Sequence, residues 1–116
     1  MNSIELRNRT KKFAVDTIKF TNTINSTYAN NIIIRQVIRS ATSVGANYRA
    51  ALRGKSNPDF LNKINIVQEE ADESIYWFEL LEETNTKLNG IDDLKKEANE
   101  LTAIFTAILK TLKSKK

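Results

Sequence analysis

The side chains of this 116-residue chain with chemical potential are carboxylates and arginines, because His and Cys are both absent. The carboxylates crowd into "QEEADES", which holds Glu69, Glu70, Asp72 and Glu73. Two carboxylates can share general acid and base work, but here nothing joins them. Without His the commonest proton carrier and metal ligand is missing, and the sequence contains no Gly-rich phosphate loop or nucleophile motif. A charge run on a helix is ordinarily a solvated or salt-bridged face. The expectation is a protein that is not an enzyme and uses no cofactor and no metal.

The arginines are more ordered. At about 100° per residue, Arg35, Arg39, Arg49 and Arg53 fall within an arc of about 80°, and at 1.5 Å per residue they run for about 27 Å. A guanidinium holds phosphate through a planar fork of donors. The stripe therefore reads as a rail for RNA or DNA phosphates, with Lys11 and Lys12 as added contacts. The alternative is a protein-interaction scaffold, in which the same arginines meet acids such as Glu69, Glu70, Asp72 and Glu73 of a neighbouring helix or another protein. The discriminating feature is whether Glu70 and Glu73 reach the stripe.

Charge along the chain sharpens that choice. Residues 1–58 carry ten Lys/Arg against two acids (+8), residues 59–86 one against eight (−7), and residues 87–116 seven against four (+3). A basic front half beside an acidic third segment suits a polyanion partner, and it suits equally helices that attract one another.

The elements that must position these groups are long helices. The length is that of one domain with a single modest core, residues 1–116, and three Gly and one Pro leave few turns for a many-stranded fold. No window approaches a membrane span and "MNSIELRNRTKKF" lacks a signal-peptide apolar run, so a soluble, cytoplasmic protein with no membrane partner is expected. Breaks at Asn30-Asn31, Gly54 to Pro58 and Asn85 to Asp93 divide the chain into four segments. Gly54 is suited to end a helix in the left-handed conformation. Ser56 with Asp59 fits a capping box, or Asn57 caps with Pro58 as first helical residue, and Asp92 or Asp93 can cap the last helix.

Steps of four and three mark the core faces: Phe60, Ile64, Val67, Ala71, Ser74, Phe78 and Leu81 in the third segment, and Leu94, Ala98, Leu101, Phe105, Ile108 and Leu112 in the fourth. The second carries Ile34, Ile38, Ala41, Gly45, Tyr48 and Leu52, with Gly45 and Ala41 small enough to let another backbone approach. The first carries Leu6, Phe13, Phe20 and Ile24. Only the "KSKK" tail looks frayed. Short breaks between four amphipathic helices predict an all-α, antiparallel up-down-up-down four-helix bundle. A second apolar patch on the third helix, Ile66, Tyr76, Trp77 and Leu80, lies to one side of the core line and predicts a homo-oligomer interface.

From Arg39 to Leu81 the chain resembles the bacterial four helix bundle protein family, also called 23S rRNA intervening-sequence proteins. The resemblance rests on Ser43, Gly45-Ala46-Asn47, the Ser56-x-x-Asp59-Phe60 break, and the Glu70-Ala71-Asp72-Glu73 run leading to Tyr76-Trp77 and Leu80-Leu81. The flanking helices match more loosely, in length and periodicity. Where relatives commonly have Glu, this chain has Ala50. The resemblance implies a bundle that assembles into a ring-like homopentamer with no known enzymatic activity. It also implies kinship with the accessory protein of diversity-generating retroelements, a basic pentameric barrel associated with a reverse transcriptase and nucleic acid.

Overall fold

Four sequence-local stops set the helices of the computed structural model, which describes residues 1–115. They are α1 (Ser3–Thr21), α2 (Tyr28–Leu52), α3 (Asn57–Thr84) and α4 (Ile91–Ser114). Each of the first three starts at a polar cap whose side-chain oxygen accepts an otherwise unpaired backbone N–H. Asn2 accepts from Glu5 at 2.8 Å, Thr27 from Asn30 at 3.1 Å, and Ser56 from Asp59 at 3.2 Å. Ser56 is thus the cap, and Pro58 sits in the first turn where its missing N–H costs nothing. α4 begins differently. Gly90, at φ 93°, turns the chain through the left-handed region, and no side chain caps the helix. Asp92 and Asp93 lie inside the first turn rather than at the cap, where their charge complements the helix dipole.

Other boundaries differ from expectation. Asn30 and Asn31 do not break the chain but lie in the first turn of α2, whose start is Thr27. Asn30 is buried and forms two amide hydrogen bonds with Asn85, each 3.0 Å, which join the start of α2 to the end of α3. Gly54 is not left-handed, since Gly90 is the one positive-φ residue among those described. The last turn of α2 closes instead through Arg53 and Gly54 N–H groups bonded to Ala50 and Ala51 carbonyls. In the "KSKK" tail α4 persists through Ser114, and Lys116 lies outside the described residues.

The helices run alternately up and down, and the bundle measures 47 × 22 × 21 Å. α3 buries the line from Ile64 through Leu81, and α4 buries Leu94, Ala98, Leu101 and Phe105, as the periodicity requires. α4 adds Ile91 and Leu109, while Ile108 and Leu112 are half-buried. In the centre Phe13 and Phe20 each meet Phe78 edge-on at 6.3 Å, and Tyr48 meets Phe105 at 5.4 Å. Such edge-to-face pairs are favoured by the ring quadrupoles.

α2 is rotated from its expected face. Val37, Ser40, Ala41, Val44, Tyr48 and Ala51 are buried, whereas Ile34 and Ile38 are half-buried and Leu52 is exposed. The reason is Ser40, a small polar residue that a search for apolar periodicity passes over, which meets Ser74 on the core line of α3. Ser40 Oγ and Ser74 Oγ lie 2.8 Å apart inside the bundle, so the α2–α3 seam closes around a satisfied hydroxyl pair. Thr17 is buried likewise, its hydroxyl donating to the Phe13 carbonyl at 2.8 Å. Gly45 faces α1: a Cβ there would lie 3.3 Å from the Thr10 backbone carbon and oxygen, so only glycine admits this approach without displacement. Among the described residues no helix is long and apolar enough to cross a membrane.

Candidate functional site

Seating α2 between α1 and α3 splits the arginine stripe. Arg39 leans onto α3, where its Nη1 donates to Glu70 at 2.8 Å, its Nη2 to Glu73, and its Nε to Gln36 at 3.3 Å. Glu73 also accepts from the Trp77 indole N–H at 2.9 Å. The acidic segment therefore does reach the stripe, but at one arginine. Arg35, Arg49 and Arg53 are exposed and, among the described residues, form no ion pair.

Arg49 and Arg53 instead face α1 across a groove of about 480 Å³. Arg7 and Lys11 line its other side, so α1 and α2 each contribute two cations. Between the rows lie Ala14, Thr42, Gly45 and Ala46. The groove exists because these residues are small and because Gly45 lets the two backbones close. Its charged lining groups are all cations, and Asn8 of α1 adds a side-chain amide with both a donor and an acceptor. Thr42 donates its own hydroxyl proton to the Ile38 carbonyl at 2.6 Å, and no carboxylate lines the groove. Part of the charge is tolerated locally, since Arg49 lies in the last turn of α2, where cations complement the helix dipole. Arg7 and Lys11 have no such compensation. A like-charge pair spaced four apart on a helix is mildly destabilising.

Arg7 was not among the residues singled out from the sequence. The signal that could have found it is the Arg7–Lys11 spacing of four on the same side of α1 as Ala14, a face legible only once α2 is known to pack there. Lys12 goes the other way. It donates to Asp16 at 2.5 Å, and that hydrogen bond raises its pKa. With Arg9 it lines a second groove of about 560 Å³ between α1 and α4. There Arg9 donates to Glu97 at 2.7 and 2.6 Å and to Glu100 at 2.9 Å, which holds its pKa above the ordinary value despite partial burial. The α1–α4 groove is the larger of the two, yet these two cations are already paired.

Ile66 and Tyr76 are exposed on α3, at 38% and 54%, beside half-buried Trp77 and Leu80. Tyr76 and Trp77 meet edge-on at 5.1 Å. The patch is real, but Trp77 also packs against the core, so the indole bridges the core and the outer surface.

A family model described as 23S rRNA-intervening sequence protein matches residues 2–107. Among solved structures, a protein with unknown function from the S23 ribosomal protein family of Bacteroides thetaiotaomicron is 30% identical and superposes with a TM-score of 0.85. That match covers 95% of this chain and 99% of the other. No curated protein matches the chain.

Proposed function

The chain belongs to the 23S rRNA-intervening sequence protein family, and from that membership we propose that it is a non-catalytic homo-oligomer that binds the phosphate backbone of RNA or DNA through the α1–α2 groove. The observation that carries this is the groove's lining: Arg7, Lys11, Arg49 and Arg53 with no acid among them. Guanidinium forks and an ammonium confer attraction to phosphate, and side chains of this kind fix a backbone without reading base edges. Binding is accordingly strong at low salt and indifferent to sequence. Arg35 lies outside the groove's lining and contributes at longer range. Arg39, held by Glu70 and Glu73, contributes least. The α3 patch of Ile66, Tyr76, Trp77 and Leu80 holds subunits together, in a ring of five as the family resemblance implies. Several grooves then act on one polyanion with a raised effective concentration.

A second function, as a protein scaffold without nucleic-acid contact, is favoured by the Arg39–Glu70–Glu73 cluster alone, because there the rail is already neutralised. Titrating a mixed-sequence RNA at a series of salt concentrations separates the two. A backbone binder gives a logarithm of affinity that falls linearly with the logarithm of salt, at about −0.9 per duplex phosphate and −0.7 per single-strand phosphate contacted. Replacing Arg49 and Arg53 by Glu lowers affinity by at least about tenfold and makes the slope shallower, with helicity unchanged. Replacing Arg39 by Gln changes either by less than about twofold. Salt-independent binding, or affinity untouched by the double reversal, would leave the scaffold.

A further inference from the structure

Resting on the nucleic-acid function above, we propose that the ligand of the α1–α2 groove is a base-paired duplex, gripped by two rows of phosphates, rather than a single strand. Two observations carry this. The first is the arrangement of cations in two adjacent rows, one on each helix, that overlap at Arg7 and Arg49. Thr10 of α1 meets Gly45 of α2, and the helices are antiparallel, so moving toward the start of α1 moves toward the end of α2. Arg7 therefore stands roughly level with Arg49, with Lys11 and Arg53 one turn away in opposite directions, each row repeating after four residues, about 6 Å along the helix. Packed helices ordinarily lie 8–10 Å apart, and a glycine contact brings them toward the lower limit. A duplex presents two strands of phosphates facing each other across its grooves, narrow in the minor groove of B-form DNA and in the major groove of A-form RNA. A single strand presents one.

The second observation is what lies between the rows. Proteins that hold single strands without sequence preference add aromatic side chains on which successive bases stack. No aromatic residue lines this groove. The exposed Tyr28 opens α2 at the end opposite Arg49 and Arg53, and Tyr76 and Trp77 belong to α3, which takes no part in the lining. Small residues with no stacking platform leave a single strand only electrostatic contact along one row. A duplex engages both rows and carries the higher charge density, which releases more counterions per contact.

The test compares a blunt RNA duplex with oligouridylate of equal total phosphate count, titrated by fluorescence anisotropy over the same salt series. With four duplex contacts per subunit against two on a single strand, the slopes per subunit are about −3.6 and −1.4, a ratio of about 2.6 when both probes engage the same number of subunits. The duplex binds at least about tenfold more tightly at low salt. Replacing Arg7 and Lys11 by Gln, which removes the α1 row, halves the duplex slope and lowers duplex affinity by a larger factor than oligouridylate affinity. Circular dichroism verifies that the variant keeps its helices. Oligouridylate binding as tightly as the duplex overturns the duplex assignment and leaves backbone binding standing. A duplex preference that survives loss of the α1 row also overturns it, by placing the duplex on another face. Binding of neither probe overturns the nucleic-acid function itself.

Discussion

Arg39 and Arg49 are chemically identical and lie on the same exposed arc of α2, yet one is tied to two carboxylates and the other faces a carboxylate-free groove. A residue's type sets what it can bind; the neighbouring helix sets whether that capacity is already used. Tyr48 illustrates the same point with a pH consequence. Burial between α2 and the Phe105 ring disfavours its phenolate and raises its pKa above the ordinary value of about 10. The folded state thus keeps the proton when the unfolded chain has lost it. The stabilisation is complete below the unfolded value and is lost as pH rises through the folded one. Tyr48→Phe preserves the ring contact and removes the titration. Urea unfolding followed from neutral pH to above pH 10 shows a shallower alkaline loss in the variant. Coincident pH profiles would mean that Tyr48 titrates as freely as it does in the unfolded chain.

At the scale of the element, α1 is the helix on which the groove depends, and at 19 residues it is shorter than α2, α3 and α4. Beyond the burial of Leu6, Phe13 and Phe20, two devices seat it: the glycine contact with α2, and the Arg9 clamp to Glu97 and Glu100 on α4. Arg9 keeps a side-chain exposure of 24%, so solvent screens the clamp in part. Arg9→Met retains much of the apolar stem and loses the charged hydrogen bonds. The expected cost is about 1–2 kcal/mol in chemical denaturation, with amide hydrogen exchange accelerated in α1 more than in α3. Equal acceleration in both helices would show that α1 does not detach separately. The helices themselves were legible in sequence, since the apolar steps on α3 and α4 are regular. The face of α2 was not, because Ser40 and Ser74 are buried as a pair and a single polar residue gives no sign of its partner.

At the scale of the molecule, the groove and the α3 patch occupy different flanks, so one subunit can hold a polyanion and a neighbouring subunit together. Light scattering at micromolar concentration is expected to give a mass several times that of one chain. Trp77→Ala weakens assembly by about 2 kcal/mol or more per contact if the patch is the interface. Trp77 also touches the core and Glu73, so Tyr76→Lys, at a position 54% exposed, is the cleaner variant. It dissociates the oligomer while leaving the thermal unfolding of the monomer unchanged. A monomeric wild type removes the ring, and an unchanged mass in both variants moves the interface away from α3.

The sequence by itself determined that this is an all-α bundle of four long helices, because helix periodicity and the polar break around Pro58 are local physics that each segment carries alone. It likewise showed a basic front half and an apolar patch beside the core line, since composition and spacing are properties of the chain. Only the tertiary structure decided which cations lie together. Arg7 joins Lys11, Arg49 and Arg53, while Lys12 and Arg39 are drawn off by Asp16, Glu70 and Glu73. The reason is that a helical wheel shows which way a side chain leaves its own helix, whereas a binding surface is made between helices. Its membership depends on packing rotation and axial register, here set by Gly45 against Thr10 and by Ser40 against Ser74, contacts between residues more than thirty positions apart.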